Sequence, residues 1–171
     1  MTVDEKVNLV IKNTEEVILK SEIRDLIEKK NNPRTYIGFE LSGLVHLGTG
    51  IVCGNKLKDL MKAGFETIVF LADWHSWINN KLGADMEKIQ LAGEYFKKAF
   101  ESVGIKGPRV KYIWGSELAE KATYWEKVVR IAKSNSLTRV LRTLPIMGRK
   151  SEVGYRYSKY IISPQQKILN S

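Results

Sequence analysis

The chain has 171 residues, one cysteine, two histidines and a net charge of +9. That length suits one domain with a real core, and the lone Cys53 excludes a disulfide framework and fits a reducing, cytoplasmic setting. No apolar run approaches the roughly 18 residues of a membrane span and the N-terminus has no signal-peptide pattern, so a soluble cytoplasmic protein is expected.

In chain order, Val7, Val10 and Ile11 share one face of a first amphipathic helical pattern. Ile23, Leu26 and Ile27 share a face of a second, with Ser21 as its expected N-cap. Lys29 to Pro33 breaks the helix, and Pro33 biases Asn32 toward extended geometry. Tyr36, Ile37 and Phe39 then form an aromatic and β-branched run that reads as a buried strand over 35–40. Ser42-Gly43 punctuates, and Ile51, Leu57, Leu60 and Met61 follow at helical spacing. At such a junction free backbone N–H groups and the positive end of a helix dipole converge where a phosphate can sit. His46 stands at that spot, and Gly48 and Gly50 leave the backbone bare for a phosphate or a flat base. An ordinary strand, turn and helix with one surface histidine is the competing reading.

This helix is expected to end near Gly64, and Thr67 to Ala72 is a continuously apolar second strand, as in a parallel sheet covered by helices. Strand, helix and strand within about 40 residues make a βαβ unit, for which a right-handed crossover is expected. Ligands bind such sheets beyond the carboxyl ends of the strands, which places His46, Asp73 and His75 on one rim. Asp73 has a simpler reading as the cap of a short helix over 74–79, with His75 in its first turn. Two histidines without a cysteine pair offer no recognisable metal-ligand spacing. Residues 81–84 read as a loop and 85–103 as a long amphipathic helix with Ile89, Ala92, Phe96, Ala99 and Phe100 buried. A third strand, nearer an edge, is expected over 109–114, and helices over 123–132 and 136–144. Trp125, Val128, Val129 and Ala132 form the apolar face of the first of these helices, with Arg130, Lys133, Arg139 and Arg142 on polar faces. Residues 1–105 carry 14 Lys or Arg against 15 Asp or Glu, whereas residues 106–171 carry 14 against 4. So basic a second part is the footprint of contact with nucleic-acid phosphates, or else a solvated basic face.

Tyr36-Ile-Gly-Phe-Glu40, Ser42-Gly43 and His46-Leu-Gly48 resemble the first strand and HIGH-type signature of class I aminoacyl-tRNA synthetases, specifically the tyrosyl-tRNA synthetases of the archaeal and eukaryotic type. Three later stretches agree in order and spacing: Ala63-Gly-Phe65 running into Phe70-Leu-Ala-Asp-Trp-His75, Trp114-Gly-Ser-Glu117, and Ile146-Met-Gly-Arg149. The matches cover roughly residues 8 to 160, about the first half of a family member.

The resemblance implies a three-layer α/β/α half-Rossmann domain over residues 1–171, with a parallel sheet and a helical connective region at about 115–150. It implies activation of L-tyrosine with ATP, accompanied by Mg2+, to tyrosyl-adenylate, and transfer to tRNA(Tyr). His46, Gly48 and Thr49 would act in catalysis, and Gly38, Glu40, His46, Gly48 and Gly50 would hold ATP. Tyr36, Phe70, Ala72, His75 and Gln166 would bind tyrosine, with the Tyr36 hydroxyl aimed at the substrate phenol. The connective region would build the subunit interface of a homodimer and approach the tRNA acceptor arm, with Arg139, Arg142 and Arg149 on the tRNA; no metal is expected on the protein. The sequence also departs from the family. Thr49-Gly50 stands where the signature has its second histidine, and Ile162 and Leu169 replace a pocket tyrosine and aspartate. The 171 residues hold no KMSKS-type segment and no anticodon-binding domain. A catalytically inactive paralogue, acting at most as a tRNA-binding or dimerising module, is therefore the alternative, and self-association through a bare first strand or the helical interface is expected.

Overall fold

The computed structural model describes residues 1–142, so the expected contribution of Ile146 to Arg149 lies outside the described residues. Three strands form the centre: β1 (Arg34–Phe39), β2 (Glu66–Leu71) and β3 (Val110–Trp114). They pair in parallel in the order β1-β2-β3, within a residue or so of the expected spans. Between β1 and β2 the chain makes a π-helical segment (Gly48–Cys53) and helix α3 (Gly54–Lys62), numbered after α1 (Val3–Ile11) and α2 (Lys20–Lys29). After β2 come α4 (Asp73–Ile78), a 3-10 turn (Lys81–Ala84) and α5 (Met86–Ser102); after β3 come α6 (Gly115–Ala119), α7 (Ala122–Lys133) and α8 (Leu137–Leu141).

Strand register divides the side chains between two faces, because successive residues alternate and paired residues on parallel strands point the same way. Gly38 pairs with Phe70, and Phe39 with Leu71. Phe39, Val69 and Leu71 therefore share a face, and α3 and α5 close over it with Leu57, Ile89, Phe96 and Phe100. The rings of Phe39 and Phe100 lie 4.9 Å apart, within the range of favourable aromatic pairs. Helix α5 reaches that face because Gly93 has no side chain: a Cβ there would fall 2.2 Å from the Trp114 ring. The face carrying Tyr36, Gly38, Ile68 and Ile113 is more open. Gly38 is exposed and the other three are only half-buried.

Several expectations need correction. Strand β1 lies at an edge of the described sheet, the bare position expected for it, but only Phe39 in it is buried, where its apolar run suggested a buried strand. Ser21 does not cap α2; the helix starts a residue earlier, at Lys20, after an extended Leu19 with no side-chain cap. Residues 81–84 form a 3-10 turn in which Leu82, Gly83 and Ala84 take left-handed backbone angles. The buried stripe of α7 is Tyr124 and Val128, while Val129 is 65% exposed and Ala132 is also outside. Val129 lies one step along the helix from the buried Val128, 100° round toward solvent, whereas Ala132 shares the face of Val128 but sits in the last turn of the helix. Helix α5 buries Ile89, Phe96 and Phe100 as expected, and Asp85 caps it by accepting the N–H groups of Glu87 (3.1 Å) and Lys88 (3.2 Å).

The N-terminal helices dock through polar chemistry at the end of α1. Lys56 of α3 donates its ammonium to the carbonyls of Leu9 (3.0 Å), Val10 (2.5 Å) and Lys12 (2.8 Å). These are the carbonyls a helix leaves unpaired at its C-terminus, where a cation also complements the dipole. At the other end, Thr2 and Glu5 make a capping box. Among the described residues no helix is long and apolar enough to cross a membrane.

Candidate functional site

The carboxyl ends of β1 and β2 carry the residues singled out in the sequence. On the open face, Tyr36 and Gly38 of β1 lie beside Phe70 of β2, and Ala72 follows two residues on. Phe70 and Ala72 are each 7% exposed, Tyr36 and His75 half-buried. A Cβ on Gly38 would come 3.4 Å from Phe70, so the bare glycine lies directly beside that ring. His75, in the first turn of α4, meets Phe70 edge to face, with ring centroids 6.4 Å apart and planes at 85°. The four expected tyrosine-site residues within the described part thus stand together on one face and at its rim.

Two ties hold that rim in place. Ser76 of α4 accepts the Leu41 N–H (2.7 Å) and donates to the Ala72 carbonyl (2.8 Å), linking the ends of β1 and β2. The Ala72 N–H also donates to the Phe39 carbonyl (3.0 Å). Asp73 makes the second tie. Its Oδ1 accepts the Trp74 N–H (2.8 Å) and, from across the sheet, the Ser116 N–H (3.0 Å). Asp73 is therefore the first residue of α4 and a bridge to α6, where the sequence suggested a cap just before the helix; Ala72 takes the cap position. Ser76 carried no signal in the sequence, and Ser116 only as part of the Trp114 to Glu117 motif; neither bond was legible, since both span more than 30 residues.

The glycine-rich turn after β1 is built differently from the expected cradle of free amides. His46 folds back over it, so that the Thr49 N–H donates to His46 Nδ1 (3.3 Å) and the Gly50 N–H to the His46 carbonyl (2.8 Å). With Nδ1 accepting, the proton of an uncharged imidazole lies on Nε2, which is 3.1 Å from Thr49 Oγ1 and can donate to it. Thr49, at the place of the signature's second histidine, is thus the partner of the first. Gly48 lets the ring lie this close, because a Cβ there would come 3.2 Å from the imidazole, tighter than most such contacts. The next six residues wind as a π-helix, a wide turn often found at functional sites, before α3 begins. His46 and Gly48 are exposed, and so are Leu44 and Leu47.

Glu40, expected at the nucleotide, is held at the rim by the Asn79 amide and by Lys81, whose Nζ lies 3.4 Å away. Lys81 belongs to the turn with left-handed residues, so the carboxylate and a cation meet where the chain leaves α4. Arg139 and Arg142 are exposed on and after α8, which Ser136 caps by accepting the Arg139 N–H (3.3 Å). Arg149 and Gln166 lie outside the described residues, as do Ile162 and Leu169. No group of three or more His, Cys, Asp or Glu among the described residues is placed to hold a metal ion. A magnesium ion brought in by a nucleotide needs few protein ligands, since it binds mainly through phosphates and water.

A parallel sheet with a glycine-rich turn after its first strand and a partly open face at its carboxyl rim defines an α/β domain of Rossmann type. The chain belongs to the family of class I tRNA synthetases for tryptophan and tyrosine, whose pattern matches residues 28–157. Within that family its likeness is to the tyrosyl enzymes. It is 46% identical over 172 aligned residues to the tyrosine-tRNA ligase of Pyrococcus furiosus and 42% identical over 168 to that of Sulfolobus acidocaldarius. The solved tyrosyl-tRNA synthetase of Pyrococcus horikoshii, complexed with L-tyrosine, superimposes with a TM-score of 0.85 at 43% identity, over 96% of this chain and 46% of that one. The alignments to the two ligases cover 97% and 98% of this chain, which spans about half (46%) of the length of each.

Proposed function

We propose that this chain supplies the tyrosine- and ATP-binding side of a tyrosyl-tRNA synthetase. The observation that carries the reading is the placement of Tyr36, Gly38, Phe70 and Ala72 on one open sheet face, with His75 at its rim, in a chain of this family. Tyrosine lies with its ring against Phe70 and His75 and its phenol hydrogen-bonded to Tyr36. ATP lies along the turn at Gly48 and Gly50, with Gly38 and Glu40 toward the nucleotide. The tyrosine carboxylate attacks the α-phosphorus and pyrophosphate leaves, giving tyrosyl-adenylate, whose acyl group then passes to tRNA(Tyr). His46 turns its Nε2–H from Thr49 Oγ1 to an α-phosphate oxygen and stabilises the charge that builds there. Catalysis of this kind is positional and electrostatic.

One observation favours the second reading, a binding or dimerising module without catalysis. Both imidazole nitrogens of His46 face Thr49, and two backbone amides that could meet a phosphate are taken by His46 itself.

Calorimetric titration of the 171-residue chain with L-tyrosine and L-phenylalanine, alongside tyrosine-dependent ATP–pyrophosphate exchange, tests the proposal. Tyrosine should bind with heat and with preference over phenylalanine, and Tyr36→Phe should remove most of that preference, a loss of roughly tenfold, as for one buried hydrogen bond. Exchange by these 171 residues alone should stay near background, because the sequence contains no KMSKS-type lysines and preorganised donors are worth roughly 10²–10³ each. Absence of tyrosine binding would reject the proposal. Exchange at ordinary enzyme rates that is lost in His46→Ala would reject the non-catalytic reading.

A further inference from the structure

Among the described residues, Asp73 is the one charged side chain sealed completely from solvent, at 0% exposure. Its Oδ1 holds the N–H groups of Trp74 and Ser116, while its buried Oδ2 has no hydrogen-bond partner among the described residues. A sealed carboxylate with no cation beside it among the described residues is a costly thing for a fold to keep, so stability alone does not account for it. Its surroundings show what it holds. Gly115, at the end of β3, lies so close that a Cβ there would stand 2.8 Å from Asp73 Oδ1 and 3.3 Å from the tip of the Phe70 ring. One carboxylate thus draws the start of α6 against the end of β2, and the absence of a side chain at residue 115 lets the two meet. Phe70 is packed against that junction from one side and meets His75 on the other.

We infer that Asp73 is a positioning residue for the amino-acid pocket, acting through Ser116 and Gly115 to set where Phe70 and His75 stand. Its naming as an amino-acid pocket rests on the function proposed above; the positioning of the two rings does not. The charge on Asp73 is not what the role needs. An acceptor oxygen in the Oδ1 position is enough, whereas loss of that acceptor or a methyl group at residue 115 releases the junction.

The test uses the full chain and four variants: Asp73→Asn, Asp73→Ala, Gly115→Ala and the double variant Asp73→Ala with Gly115→Ala. Three quantities are read, namely thermal midpoint, tyrosine affinity by calorimetry, and the imidazole NMR resonances of His46 and His75, the chain's two histidines. Asp73→Ala and Gly115→Ala should each weaken tyrosine binding roughly tenfold, the scale of one buried hydrogen bond, while Asp73→Asn stays within about threefold. The double variant should be little weaker than either single one, because residues that share a contact are not additive. In Gly115→Ala the His75 resonance should move and that of His46 should not. Variants that lower the thermal midpoint yet leave both tyrosine affinity and the His75 resonance unchanged would overturn the inference and make Asp73 purely structural. If Asp73→Ala does not fold, Gly115→Ala and Asp73→Asn decide by the same criteria. If the parent chain binds no tyrosine, the proposed function falls, and the inference is judged on the His75 resonance: moved in Gly115→Ala and kept in Asp73→Asn supports it, unmoved in Gly115→Ala overturns it.

Discussion

The two faces of one three-stranded sheet have opposite fates in this protein. On one, Phe39, Val69 and Leu71 disappear beneath α3 and α5, and even the backbone of α5 presses close at Gly93. On the other, Tyr36, Ile68 and Ile113 remain half-buried and Gly38 is bare. The residues alternate along the same strands, so neither strand propensity nor hydrophobicity of the segment separates them; only what lies above each face does. The closed face supplies rigidity, and the open face is the one on which the proposed function would place its ligand.

Experiments can break this contrast or sharpen it. The largest effect should come from the closed face. Phe100→Ala, in the middle of the aromatic cluster, should cost about 3–5 kcal/mol in denaturant unfolding through lost burial and a cavity. If the site depends on the closed face only for rigidity, whatever folded protein remains should keep its preference for tyrosine over phenylalanine. Gly93→Ala, which thrusts a methyl group into the Trp114 ring, should cost about 1–3 kcal/mol as helix and strand are forced apart. An effect within experimental error in the same assay would mean that α5 is less tightly seated than the geometry shows.

The basic second part of the sequence should respond to salt instead. If tRNA meets Arg139, Arg142 and Arg149, binding should be weak, mostly insensitive to sequence and steeply reduced by salt. Changing all three to Gln should lower the slope of log affinity against log salt by roughly 0.7–0.9 for each phosphate contact removed. A slope that does not change in filter-binding titrations would place the contact elsewhere.

The smallest effect concerns pH and again belongs to the closed face. Tyr112, whose hydroxyl donates to the Ile105 carbonyl at 2.7 Å, has its pKa pushed up to about 12 by burial and, less, by Glu101. The native state therefore keeps a proton that the unfolded chain gives up near pH 10. Stability from this group is intact below pH 10 and falls as pH rises from there toward 12, since the unfolded state then binds fewer protons. The group is partly solvated, so the loss should be about 1 kcal/mol. Denaturant midpoints measured between pH 9 and pH 11.5 should fall less steeply in Tyr112→Phe than in the parent. Equal slopes would show that this phenol ionises alike in both states.

Much of this protein was decided by residues close together in the chain. The three strands, the helix between the first two and the long α5 follow from local runs: Thr67 to Leu71 is apolar and β-branched, and Ile89, Phe96 and Phe100 repeat at helical spacing behind the Asp85 cap. The order of motifs from Tyr36 to Glu117 was enough to suggest the family, and with it Tyr36, Phe70, Ala72 and His75 as candidates for a tyrosine site, which the fold places near one another. Burial of β1 and the exact stripe of α7 were not legible. An edge strand differs from a central one only in its neighbours, and a helix stripe shifts by 100° with a one-residue change of contact. Nor could the sequence show that His46 spends two amides of its own turn on itself, or that Asp73 reaches Ser116, 43 residues along the chain. Such bonds depend on where two distant backbones come to rest, a matter that tertiary packing alone decides.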